Sequence, residues 1–115
     1  MQNDIPIIQK IYDLYCELYQ IIEKMPKKDK YTLGARIENR TLDLLELLIS
    51  AGYSAKETKL AHLQKSSVKL DLLKILLRVA EKIKSIPTNK YLRTEEKLIE
   101  IGKMLGGWIR STKAL

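Results

Sequence analysis

Cysteine and histidine are nearly absent from this chain. Cys16 is the single cysteine, so no disulfide can form within the chain, and the composition suits a reducing cytoplasm, the expected location. His62 is the single histidine. Two-histidine metal sites are thereby excluded, and so are the Glu-x-x-His pairs of di-iron bundles, since Lys59 stands three residues before it. Three prolines and five glycines in 115 residues leave few turns, which argues against a sandwich or barrel of many short strands. No uninterrupted apolar run approaches the ~18–20 residues of a membrane span. Met1-Gln2-Asn3-Asp4 is not a basic stretch leading into an apolar one, so no signal peptide is expected.

What is present is apolar and basic: 45% hydrophobic and 30% charged residues, with a formal net charge of +7. That apolar fraction is ordinary for a folded protein, and the length predicts a single domain over 1–115. The sparse punctuation divides the chain into four segments. The first opens at Asn3-Asp4 and stops at Met25-Pro26, with Ile8, Ile11, Tyr12, Tyr15, Leu18, Tyr19 and Ile22 at three- and four-residue spacing. The second begins near Asp29, read as a cap, and runs through Ile37, Leu44 and Leu48 to Ala51-Gly52, where glycine is a common helix stop. Ser54 and Glu57 have capping-box spacing and open a third helix reaching Ile86-Pro87. A fourth, capped at Thr88 or Thr94, continues through Trp108 and Ile109. Four helices of roughly 20–30 residues with short connections predict an all-α, antiparallel up-down-up-down four-helix bundle.

The third helix is too apolar for a simple bundle. Between Leu70 and Ile83 the polar residues Asp71, Lys74, Arg78, Glu81 and Lys82 share one stripe, and apolar residues cover the remaining arc. That arc is about 220°, against the ~100° an ordinary surface helix buries. Such a helix must bury two sides, either at the centre of its own bundle or against another subunit. No helix of a four-helix bundle is central, so a homo-oligomer is expected, and in a ring-like one the charged stripe would repeat as a continuous positive surface.

Charge is divided unevenly. Residues 1–53 hold seven lysines and arginines against eight carboxylates, whereas residues 54–115 hold fourteen against six. Lys74, Arg78 and Lys82 lie at i, i+4 and i+8 and make a candidate phosphate-holding stripe. A solvated lysine face is the alternative. No aromatic residue interleaves with these cations, so nucleic-acid binding is expected to be backbone-directed, salt-sensitive and weakly specific.

Catalytic constellations are lacking. A Cys16–His62 pair has no flanking motif, and Asp13/Glu17 and Glu96/Glu100 have ordinary helix-surface spacing. Gly106-Gly107 is not followed by the Lys-Ser/Thr of a phosphate loop. No catalytic residue, metal or cofactor is expected. Gly102 and Gly106, four apart, instead suggest a smooth strip for a neighbouring helix, and Trp108 and Ile109 continue the apolar period beyond them.

The stretch Met25-Pro26-Lys27-Lys28-Asp29-Lys30-Tyr31-Thr32-Leu33-Gly34-Ala35-Arg36-Ile37 resembles a Pro-Lys…Tyr-x-Leu-Gly-x-x-Ile signature. That signature belongs to a four-helix-bundle superfamily containing the proteins of 23S rRNA intervening sequences and the accessory variability determinant (Avd) proteins of diversity-generating retroelements. Leu72-Leu73-Lys74-Ile75-Leu76-Leu77-Arg78 and Glu100-Ile101-Gly102-Lys103-Met104-Leu105-Gly106-Gly107-Trp108-Ile109 are similar to the Avd branch. The resemblance implies a homopentameric, barrel-like assembly that binds a retroelement reverse transcriptase and RNA or DNA and supports mutagenic reverse transcription. It implies a nucleic-acid or polymerase contact for Lys74 and Arg78, while Lys82 rests on the helical wheel alone. Arg110 is a further candidate contact, although its charge also complements the helix dipole. Pro26, Gly34, Leu73, Leu77, Gly102, Gly106 and Trp108 are the candidate structural or interface positions. The alternative is an intervening-sequence-type scaffold with no polymerase partner.

Overall fold

The computed structural model describes residues 5–115, which form four helices. Helix α1 is Ile5–Glu23; its expected start at Asn3-Asp4 lies outside the described residues. Helix α2 spans 27–52 and is composite: an α-helical turn Lys27–Asp29, a π-helical turn Lys30–Gly34, and an α-helix Ala35–Gly52. Helices α3 (Lys56–Lys82) and α4 (Thr88–Lys113) complete the bundle. α1 adjoins α2 and α4, and α3 adjoins the same two from the opposite corner. This is the expected up-down-up-down arrangement, 46 Å long.

The core is one cluster fed by all four helices. Ile11, Leu14, Leu18, Ile37, Leu44, Leu48, Leu63, Leu73, Leu77, Leu98, Ile101 and Leu105 are its fully buried large side chains. Four hydroxyl residues enter the same interior. Thr41, Ser66, Thr94 and Thr112 are buried, and each donates to the carbonyl four residues earlier, at 2.8–2.9 Å. Satisfying the hydroxyl within its own helix removes most of the penalty of burying it.

The helix boundaries differ from the sequence expectation in instructive ways. Asp29 does not cap α2. The helix begins two residues earlier, because Pro26 holds an extended conformation and its carbonyl accepts the N–H groups of both Asp29 (2.9 Å) and Lys30 (2.8 Å). The Ser54–Glu57 box does not form either. Ala55 is the N-cap residue, and the Ser54 hydroxyl turns back to donate to the Ser50 carbonyl at 2.7 Å. Neither Thr88 nor Thr94 caps α4: Pro87 occupies the N-cap position, Thr88 donates to Glu81, and Thr94 is buried within the helix. Gly52 does end its helix, with no left-handed glycine there.

Helix α3 stops at Lys82, short of Ile86-Pro87, through a left-handed cap. Lys84 has φ 62°. The Ser85 N–H reaches the Ala80 carbonyl (2.8 Å) and the Lys84 N–H the Glu81 carbonyl (2.9 Å), the paired bonds of a Schellman motif. Glycine is the usual residue at that position, since a Cβ makes the left-handed conformation costly. Lys84→Gly is therefore expected to stabilise the fold by about 0.5–1 kcal/mol. A higher midpoint in denaturant unfolding, with unchanged slope, is the check.

Candidate nucleic-acid interface

Helix α3 carries its apolar residues in two stripes. Leu70, Leu73, Leu77 and Ala80 point into the chain's own core. Val68, Leu72, Ile75, Val79 and Ile83 form a second stripe on the opposite side and stay exposed, Val68 at 68% and Ile75 at 53%. Leu73 and Leu77 are consequently core residues and are not available to a neighbouring subunit; the exposed stripe is.

The three candidate cations of α3, Lys74, Arg78 and Lys82, do not share one environment. A row at i, i+4, i+8 turns by about 40° per step around a 3.6-residue helix. Lys74 is half-buried in the groove between α3 and α4, while Arg78 is exposed at its lip and Lys82 is exposed beyond it. The groove encloses about 190 Å³ between Lys74, Arg78, Tyr91, Glu95, Leu98 and Ile99. Arg110 is not part of it. It lies near the C-terminus of α4, at the end of the bundle away from the α3–α4 turn, with its guanidinium lying along Gly106 and Gly107.

Two groove residues on α4 were not among the expected site residues. The Tyr91 hydroxyl donates to Glu95 Oε2 at 2.6 Å. That bond, with burial, raises the Tyr91 pKa above its ordinary value, and the neighbouring Arg78 opposes the shift. The groove thus carries one carboxylate and an aromatic ring beside its two cations; the ring comes from α4, and no aromatic interleaves with the cations along α3. A signal existed: Arg78 and Tyr91 are almost equally distant from the α3–α4 turn, so an antiparallel hairpin brings them level.

The glycines separate into two kinds. At Gly34 an added Cβ would sit 2.9 Å from Ile22 Cγ2 and 3.2 Å from Met25 Sδ, so backbone and side chains approach closely where α1 turns into α2. At Gly102 a Cβ would meet Leu70 Cδ2 and Lys74 Nζ at 3.6 Å, an ordinary contact. Gly106 faces only Arg110 of its own helix. The expected smooth strip therefore holds no closely packed helix within the chain. Pro26 separates α1 from α2, and Trp108 packs half-buried against the core.

The remaining candidates for chemistry stay apart. Cys16 is exposed on α1, and His62 is half-buried on the diagonally placed α3. No group of three or more metal-ligating side chains occurs among the described residues. The carboxylates serve the surface: Asp13 accepts from Gln9, Glu17 binds Lys97 and lies 3.8 Å from Arg93, and Glu100 pairs with Lys10 at 3.0 Å. Among the described residues, no helix is long and apolar enough to cross a membrane.

Fold and groove together define an all-α four-helix bundle with a cation-lined groove beside an unpartnered apolar stripe. The chain belongs to the bAvd-like family, whose model matches residues 5–112. No curated protein matches it.

Proposed function

We propose that this protein is a non-enzymatic accessory protein of a diversity-generating retroelement, a basic homo-oligomeric scaffold in the cytoplasm. It binds the element's reverse transcriptase together with template RNA and cDNA, and so supports mutagenic copying. The observation that carries this reading is the pairing on α3 of an exposed apolar stripe (Val68, Leu72, Ile75, Val79, Ile83) with the cations Lys74 and Arg78 at the adjoining groove. Burial of the stripe between subunits satisfies the hydrophobic excess of α3. A ring of such subunits repeats the cations around the assembly, and a repeated positive surface holds a phosphate backbone without reading its sequence. Membership of the bAvd-like family over 5–112 supports the retroelement context.

Solution mass by light scattering, with and without RNA at low and moderate salt, tests the scaffold. The expected result is an oligomer near five subunits that binds RNA and releases it as salt rises. Ile75→Glu with Val79→Glu places two charges in the stripe without entering the core and should reduce the mass to that of one 13.3 kDa chain. A wild-type monomer indifferent to RNA would sink the proposal. Pull-down with the retroelement reverse transcriptase then tests the polymerase partner, whose absence would favour the scaffold without one.

A further inference from the structure

A second cleft, walled in part by Ile21 and Pro87, lies between α1 and α4, on a face of the bundle that the α3 groove does not share. It encloses about 260 Å³ between Glu17, Gln20, Lys24, Ser85, Lys90 and Arg93. Pro87, Lys90 and Arg93 bring the start of α4 to one wall of it. The N-cap residue there is Pro87, which provides no side-chain cap, and the first intrahelical bond runs from the Tyr91 N–H to the Pro87 carbonyl. The N–H groups of the first turn are thus left to an external acceptor, and the helix dipole adds positive potential at the same place.

Ser85 is the independent sign of a ligand. It lines the cleft and is only 6% exposed, yet its hydroxyl has no hydrogen-bond partner. An unpartnered buried hydroxyl is costly, and a ligand oxygen removes the cost. The charges select the ligand's sign. Three cations face one carboxylate, Glu17, whose Oε2 is held by Lys97 and whose Oε1, buried and without a hydrogen-bond partner like the Ser85 hydroxyl, lies 3.8 Å from Arg93, the cation placed to neutralise it. Lys24 and Lys90 have no carboxylate partner among the described residues. The volume falls a little below the ~300 Å³ at which drug-sized pockets begin, so the occupant is small.

We propose that this cleft binds a phosphate monoester, seated over the first turn of α4 between Lys24 and Lys90, with Ser85 donating to a phosphate oxygen and Arg93 closing one side. The phosphate comes either from a free nucleotide or from the 5′ end of a strand, and the experiment separates them. Amide NMR shifts are followed while inorganic phosphate, then adenosine 5′-monophosphate, is added at constant ionic strength. Saturable shifts at Ser85, Thr88, Asn89 and Lys90 are expected. Lys24→Glu with Lys90→Glu should weaken binding at least tenfold, and the milder Lys24→Gln with Lys90→Gln should act in the same direction if the reversal unfolds the chain. Lys74→Glu with Arg78→Glu should leave phosphate binding intact, so failure here is distinct from failure of the α3 groove. In that background a 5′-phosphorylated oligonucleotide binding tenfold better than its 5′-hydroxyl counterpart assigns the strand end; no such preference, with the monophosphate bound, assigns the free nucleotide. Shifts that do not saturate, or that persist unchanged in both cleft variants, overturn the proposal.

Discussion

Lys74→Glu combined with Arg78→Glu is expected to lower RNA affinity by about 100-fold or more at moderate salt. Each cation that neutralises a phosphate releases a counterion, so losing two reduces the slope of log K against log salt by about two. Charge reversal adds repulsion to that loss. Neither residue belongs to the core, so helical content and solution mass should be unchanged. Lys74 is half-buried in the same groove as Glu95, and a new carboxylate there meets a like charge. The variant Lys74→Gln with Arg78→Gln avoids this and should still lose at least tenfold. Filter binding or fluorescence anisotropy across a salt series reads both quantities. Unchanged affinity and slope would return these cations to the role of a solvated surface.

Gly34→Val is expected to destabilise the fold by about 3 kcal/mol or more. A Cβ at this position lies 2.9 Å from Ile22 Cγ2, closer than two carbons can approach, and 3.2 Å from Met25 Sδ, a tight contact. Ile22 and Met25 are both buried, and a β-branched methyl on Cβ cannot swing away as the end of a long side chain does. The backbone has little freedom to yield, because Gly34 closes the π-helical turn Lys30–Gly34. Thermal unfolding at fixed protein concentration should show a midpoint lower by roughly 10 °C or more. Gly102→Ala is the contrasting case. Its Cβ enters ordinary contact at 3.6 Å, so the helix-propensity gain of up to about 1 kcal/mol should raise the midpoint. Equal melting of Gly34→Val and the wild type would show that the close approach at the α1–α2 corner is unimportant.

Much of the fold was legible because its signals are local. Apolar residues at three- and four-residue spacing place Ile11, Leu18, Leu44, Leu98 and Ile101 in the core without any knowledge of the neighbours. Prolines at 26 and 87 mark two of the three corners for the same reason, since a proline restricts its own φ and its predecessor. Capping was legible only in type. Ser54, Thr88 and Asp29 have the right side chains for caps, but the adjoining prolines and the Ser50 carbonyl offered the chain other ways to satisfy its ends.

The charge asymmetry, the single histidine and cysteine, and the excess apolar arc of α3 were determined by the amino-acid sequence alone, because each is a count or a periodicity along the chain. The tertiary structure alone decided which of those features meet. It placed Tyr91 and Glu95 beside Arg78, sent Arg110 to the far end of the bundle, and distinguished the crowded Gly34 from the roomy Gly102. It also assembled Lys24, Ser85 and Lys90, residues from three different segments, around one cleft. The physical reason is common to all of these: a side chain's partner depends on the register between packed helices, and register is set by the whole core.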